Sequence, residues 1–92
     1  MAWYTCTVNS AGPATDGTET SDPVVYINLT DTAPSSAFTA QWFYAGETGQ
    51  TLMLAVAIAA LNSGKHVEVG AYPPNPSGSP YTEITRFYLK SS

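Results

Sequence analysis

Cys6 and His66 are the residues of this sequence best suited to nucleophilic chemistry. Each is the only residue of its type among the 92, and they fall on different predicted strands. A catalytic cysteine needs a base in contact with it and a third group that orients the base. The sequence places no such group beside either residue. We therefore expect Cys6 to be a buried strand residue, and a reactive or intermolecular thiol is the less favoured alternative.

Paired carboxylates are a second arrangement that supports hydrolysis. Glu68 and Glu83 lie on neighbouring predicted strands, with Arg86 three residues beyond Glu83. A cross-strand ion pair accounts for these charges more simply than an acid–base pair does.

A looser acidic group lies in the polar segment 9–23, at Asp16, Glu19 and Asp22. Its spacing and number of ligands fall short of a calcium loop, so a solvated loop is expected. The sequence thus predicts no catalytic residue, no metal and no cofactor, and we do not expect an enzyme.

The charge of the chain limits its partners. Hydrophobic residues make up 43% of the sequence and charged residues 11%, with a net charge of −4. Only Lys65, Arg86 and Lys90 are basic. Binding to nucleic acid depends on a basic patch that neutralises phosphates, and anionic membrane surfaces also attract cationic segments. Neither kind of partner is expected.

Membrane insertion and a leader are not expected either. The apolar run 52–61 (LMLAVAIAAL) is shorter than the ~20 residues that a membrane-spanning helix requires. The opening residues, Met1 to Tyr4, lack the basic and apolar regions of a signal peptide.

The order of the predicted elements indicates the fold. Aromatic, β-branched and alternating patterns predict five strands, at residues 3–8, 24–30, 38–45, 66–72 and 81–89. The apolar run predicts one helix between strands 3 and 4, capped by Thr48 or Thr51 and ended by Gly64. We predict a mainly β protein with one helix, a five-stranded OB-like barrel. Residues 1–92 are expected to form a single domain.

Strand alternation also predicts which side chains face the core. Val25, Ile27 and Leu29 are expected to point inward. Among the adjacent aromatic residues 42–44, Trp42 is expected in the core, with Phe43 on the opposite face.

The helix has apolar residues on every side, which permits two interpretations of its packing. In the first, it is an ordinary core helix that turns Leu54, Ile58 and Leu61 inward. A single amphipathic helix needs an apolar stripe on one side only. The surplus therefore favours the second interpretation, in which the helix is buried twice.

In that second interpretation the outer face packs against neighbouring copies of the chain. We predict that Leu52, Val56 and Ala59 form this subunit interface. Burial of aliphatic side chains is worth about 1.5–3 kcal/mol each, which would stabilise an oligomer.

Several segments resemble a known family. The helix and following strand, LAVAIAALNSGKHVEV (residues 54–69), are similar to those of the OB-fold B subunits of bacterial A–B toxins, the subtilase-cytotoxin and pertussis-like group. They are also similar to related small uncharacterised bacterial proteins. The segments WYTCTV, VYINLTDT and WFYA extend the resemblance over most of the chain. Unlike many members, the chain has no second cysteine in residues 70–80.

The resemblance implies a non-catalytic subunit of a ring. Toxin members form homopentamers whose helices line a central pore, and they bind cell-surface glycans. A glycan and a catalytic A-type chain are therefore the implied partners besides the chain itself, and a secreted or periplasmic location is implied. No sugar-contacting motif of the family matches residue for residue. A purely structural oligomer without a ligand, natural or engineered, is the alternative.

Three tyrosines are the candidates for stacking against a sugar. Tyr26 is expected on the polar face of its strand, and Tyr72 and Tyr81 flank the proline-rich segment between the last two strands. Amphipathic rings suit sites that are partly wet.

Overall fold

The secondary structure follows the predicted order. The structure is a computed structural model that describes residues 2–14, 24–46, 49–73 and 81–91. Its elements are β1 (Ala2–Ala14), β2 (Val24–Asp31), β3 (Gln41–Ala45), α1 (Gln50–Ser63), β4 (Val67–Ala71) and β5 (Thr82–Leu89). The chain is mainly β, with one helix between strands 3 and 4, as predicted.

The five strands close into one barrel in the order β1-β2-β3-β5-β4. Neighbouring strands are antiparallel except β3 and β5, which are parallel and pair Phe43 with Thr82 and Tyr44 with Glu83. This closed five-stranded arrangement confirms the OB-like barrel.

Strand β1 is longer than the sequence indicated, since residues 9–14 of the segment expected to be a polar loop continue it to Ala14. Its first part pairs with β4 and its second part with β2, and Cys6 lies opposite both Val67 and Asp31. Pro13 lies in the second part of β1, which pairs with β2 but, among the described residues, not with β4. Proline has no N–H to donate, and it is tolerated where a strand is paired on one side only.

The core is formed by the inward residues of all five strands and by α1. Val25, Ile27 and Leu29 are buried, as predicted from their alternation. The prediction for Trp42 and Phe43 was wrong, because Phe43 is fully buried and Trp42 is exposed. Pairing with β2 sets the phase of β3. Phe43 lies opposite the inward Ile27, and a shift of one residue would turn every side chain over.

Both ends of α1 are set by glycines. The N-cap residue of the helix is Gly49, and no side chain forms a cap hydrogen bond there. Thr51 lies inside the helix, so the prediction that it caps the helix was wrong. Thr48 lies outside the described residues. Gly64 adopts the left-handed conformation, with φ 73°, and its N–H donates to the Ala60 carbonyl at 2.8 Å. The predicted role of Gly64 as the residue that ends the helix is confirmed.

Candidate functional site

The inner face of α1 is made of small side chains. Ala57 and Ala60 are buried, and Met53, Leu54 and Val56 pack beside them against the barrel core. Alanines at the contact let the helix backbone approach the sheet closely. The larger aliphatic side chains are therefore left for the flanks and the outer face.

The exposed side of α1 carries an apolar ridge at steps of three residues, which winds half a turn around the helix: Leu52, Ala55, Ile58 and Leu61. Leu52 is 75% exposed, Ile58 47% and Leu61 42%. Positions i, i+3 and i+6 form one of the side-chain rows that interdigitate when helices pack. Among the described residues, nothing in the chain covers this ridge.

The first interpretation of the helix is confirmed for Leu54, which packs against the core, but not for Ile58 and Leu61. Ile58 and Leu61 do not face the core, since both are exposed. Of the residues predicted for the subunit interface, Leu52 is at the surface, whereas Val56 is half-buried against the core and Ala59 is half-buried on α1. Because α1 is apolar on all sides, its sequence could not show which side the barrel covers.

A shallow groove extends the ridge towards β5. It has a volume of about 220 Å³, and Leu52, Met53 and Val56 line its helical side. Tyr88 lines the opposite side, and its ring stacks on that of Trp3 with centroids 6.0 Å apart. Both rings are about half exposed, so an apolar surface runs from the helix to this aromatic pair.

Arg86 is the basic residue at this groove. Its Nη1 donates a long hydrogen bond of 3.5 Å to the Tyr88 hydroxyl. The ion pair expected between Arg86 and a glutamate is not the one that forms, because Lys90 instead binds the Glu68 carboxylate at 3.1 Å. The Glu83 carboxylate lies against Gly46.

A second candidate surface lies on the outer face of β2 and β3. Tyr26 and Tyr81, two of the stacking candidates, meet edge to face with ring centroids 5.6 Å apart. Tyr44 lies opposite Tyr26 on the neighbouring strand. Tyr72, the third candidate, is exposed just beyond β4 and takes part in none of the ring contacts found among the described residues.

Trp42 belongs to the same outer face, whereas the sequence favoured a core position for it. It lies opposite Asn28, whose side-chain carbonyl accepts a hydrogen bond from Asn9 Nδ2 at 2.8 Å. Asn28 Nδ2 in turn donates to the Ala40 carbonyl at 3.1 Å. An exposed indole thus sits beside a fixed network of amides.

Cys6, the candidate nucleophile, lies on β1 opposite Val67, the residue that follows His66. Cys6 is fully buried, and burial raises the pKa of its thiol to about 12, with the carboxylates of Asp31 and Glu68 adding to the effect. A thiol held protonated is a poor nucleophile. Asp16, Glu19 and Asp22 lie outside the described residues. Within the described ranges, no three His, Cys, Asp or Glu side chains cluster as metal ligands would.

The described part of the chain contains no helix long and apolar enough to cross a bilayer.

No protein-family model matches the chain, and no curated protein or solved structure is significantly similar to it. The toxin-subunit resemblance therefore stays a prediction.

Proposed function

We propose that the protein is a non-catalytic subunit that assembles through α1 into a closed homo-oligomer, a ring like the pentamers of toxin B subunits. The observation that carries this proposal is the exposed apolar ridge of Leu52, Ala55, Ile58 and Leu61 on the outer face of α1. Contiguous exposed apolar surface of this kind marks an interaction site in a soluble protein.

The chemistry of α1 suits contact between identical copies. Its sequence, QTLMLAVAIAALNS, contains no charged residue. Around a symmetry axis, equivalent residues of the copies approach one another, so a charged residue on this face would lie close to the same charge in a neighbouring copy. An uncharged helix avoids that repulsion, and Ala55 and Ala59 permit close approach of neighbouring helices.

Burial of the ridge would contribute a substantial free energy to contact between subunits. Complete burial of an aliphatic side chain contributes about 1.5–3 kcal/mol. Leu52, Ile58 and Leu61 are exposed in part, so their burial supplies several kcal/mol per subunit. The groove beside Leu52 gives the side chains of a second copy a place to enter.

The second element of the proposal is a glycan ligand, which the family resemblance implies. It is supported by the contact between Tyr26 and Tyr81 on one outer face, where the two rings form part of an aromatic surface. A catalytic A-type chain is the other partner that the resemblance implies, and it would bind the assembled ring.

The molar mass in solution tests the assembly. Light scattering coupled to size exclusion should give a multiple of 9.7 kDa for the wild-type chain. Leu52→Asp should lower that mass towards the single chain while leaving the circular dichroism spectrum unchanged, because Leu52 contributes little to the monomer core. Val56 is the poorer test position, since it packs on its own barrel and an aspartate there would unfold the monomer.

The matched control is Tyr72→Asp, which adds the same charge at an exposed position outside α1. It should keep the mass of the wild-type oligomer. A wild-type chain that remains at 9.7 kDa at every concentration would rule out the ring.

A further inference from the structure

We propose that the outer face of β2 and β3 binds a neutral saccharide, with Trp42 as its main stacking platform. This inference deepens the glycan-binding part of the proposed function by giving it a place and a ligand class. It rests on the geometry of one chain and does not need the ring.

Trp42 offers an aromatic surface that is both accessible and held in place. Its side chain is 39% exposed, and it lies within the short strand β3. Its cross-strand partner Asn28 is buried and is hydrogen-bonded on both sides of its amide, to Asn9 and to the Ala40 carbonyl. A ring on a rigid strand loses little conformational entropy when a ligand stacks on it.

Polar side chains of β1 lie across β2 from Trp42. Asn9 and Ser10 are exposed, and Ser10 lies opposite Asn28 on the far side of β2. Asn9 Nδ2 also donates to Thr30 Oγ1 at 2.9 Å. Amides and hydroxyls that both donate and accept suit sugar hydroxyls, which do the same.

The aromatic surface continues along the strand beyond Trp42. Tyr44 is two residues further on the same face, at a distance of about 7 Å along the strand. Tyr26 lies opposite Tyr44 and contacts Tyr81. On the other side of Tyr26 is Gly12, where a side chain would meet open space. The surface is therefore long enough for more than one sugar ring.

The charges on this face select against anionic ligands. Glu83, opposite Tyr44, is the one charged residue among the described residues of the face. Lys90 is paired with Glu68, and Arg86 lies at the groove beside α1. Aromatic rings on a barrel also stack nucleic-acid bases, but such sites add a positively charged groove along the backbone. With a carboxylate in place of cations, a neutral saccharide fits better than a nucleic acid or a sialylated glycan.

The two tryptophans of the chain allow a direct test by fluorescence. In the Trp3→Phe variant, Trp42 is the only indole, and its emission reports on the proposed site. Titration with cellotriose, maltotriose, chitotriose and N-acetyllactosamine should give a saturable change with at least one of them. Sialyllactose and an oligothymidylate should give none. The Trp42→Phe variant, whose only indole is Trp3 beside Tyr88, should show no saturable change with any of them.

Calorimetry with the same saccharide then measures the role of the ring. Trp42→Ala should bind at least about tenfold more weakly than the wild-type chain, whereas Trp3→Ala, which removes the other exposed indole, should bind as the wild type does. No response of Trp42 to any neutral saccharide, a stronger response to the anionic probes, or unchanged binding by Trp42→Ala would each overturn the proposal.

The experiment separates this inference from the assembly. The Leu52→Asp variant should still bind the saccharide, because the ridge on α1 and the face of β2 and β3 share no residue. Binding by a chain that never forms an oligomer would refute the ring and keep the saccharide site. A stable oligomer without any saccharide response would refute the site and keep the ring.

Discussion

At Cys6 the barrel buries a titratable group where three strands meet. The residue lies on β1 opposite Asp31 of β2 and Val67 of β4, and its side chain is inaccessible to solvent. Removal from water penalises the thiolate, and the nearby carboxylates of Asp31 and Glu68 repel it further. The thiol therefore acts as a small apolar side chain at neutral pH, which is the role that its alternating strand pattern predicted.

Cys6 should make the protein less stable in alkali. Its pKa is raised from 9.0 to about 12 in the folded state, so above pH 9 the unfolded chain loses a proton that the folded chain keeps. The stabilisation from the protonated thiol is complete below pH 9 and falls by up to ~1.4 kcal/mol per pH unit above it. Urea denaturation at pH 7.5 and at pH 10 measures the loss.

The Cys6→Ala variant is the control for that titration. It is expected to be less stable at neutral pH because it leaves a small cavity, but its stability should fall less between the two pH values. The tyrosines that also titrate in alkali are common to both proteins. An equal loss in both would show that the Cys6 thiol does not carry the effect.

At the level of the elements, α1 shows where prediction from sequence stops. The existence of the helix, its place between strands 3 and 4 and its end at Gly64 followed from composition and from one glycine. Its orientation did not, because a helix that is apolar all round has no polar face to mark the solvent side. Packing against the barrel decides the orientation, since it buries Ala57 and Ala60 and leaves Leu61 exposed.

A pair of identical substitutions on α1 should separate its two faces. Ala57→Leu inserts three carbon atoms at the buried contact with the barrel and should cost about 1–3 kcal/mol of stability. Ala55→Leu makes the same change on the exposed ridge and should stay within about 0.5 kcal/mol. Both are measured by urea denaturation in the Leu52→Asp background, so that subunit contacts do not contribute. Equal effects at the two positions would contradict the assigned orientation of the helix.

The strands show a similar division between what was predictable and what was not. Clean alternation in β2 predicted the buried apolar residues correctly, although Asn28, expected on the outer face, is buried as well. In β3, three adjacent aromatic residues left the phase undetermined, and the pairing of Phe43 with Ile27 resolved it. With this phase, Trp42 lies on the outer face and not in the core. It thereby becomes part of the candidate saccharide site.

For the whole molecule, the order of elements was sufficient to predict the barrel, and the low charge was sufficient to draw attention to association. What the sequence could not give was the surface that remains after the barrel has formed. The exposed ridge and the outer aromatic face depend on pairings between strands that are distant in sequence, and these pairings are not encoded in any local pattern.

Assembly should make the thermal stability depend on protein concentration. An interface present only in the folded state stabilises that state by mass action, so the Tm should rise as the chain is concentrated. Calorimetric scans over a hundredfold range of concentration check this. The Tm of the Leu52→Asp variant should not change over that range, and a constant Tm for the wild type would argue for a folded monomer.

The parallel contact between β3 and β5 has a consequence for the motions of the barrel. Among the described residues, this seam pairs only Phe43 with Thr82 and Tyr44 with Glu83, whereas each of the other strand pairs has a longer register. Local opening begins where the fewest backbone hydrogen bonds must break, so the amides along this seam should exchange with solvent faster than those of β2. Tyr44 lies on one side of the seam and Tyr81 precedes the strand on the other. A saccharide bound to both tyrosines would hold β3 and β5 together. Amide exchange along the seam should then be slower in the presence of the saccharide.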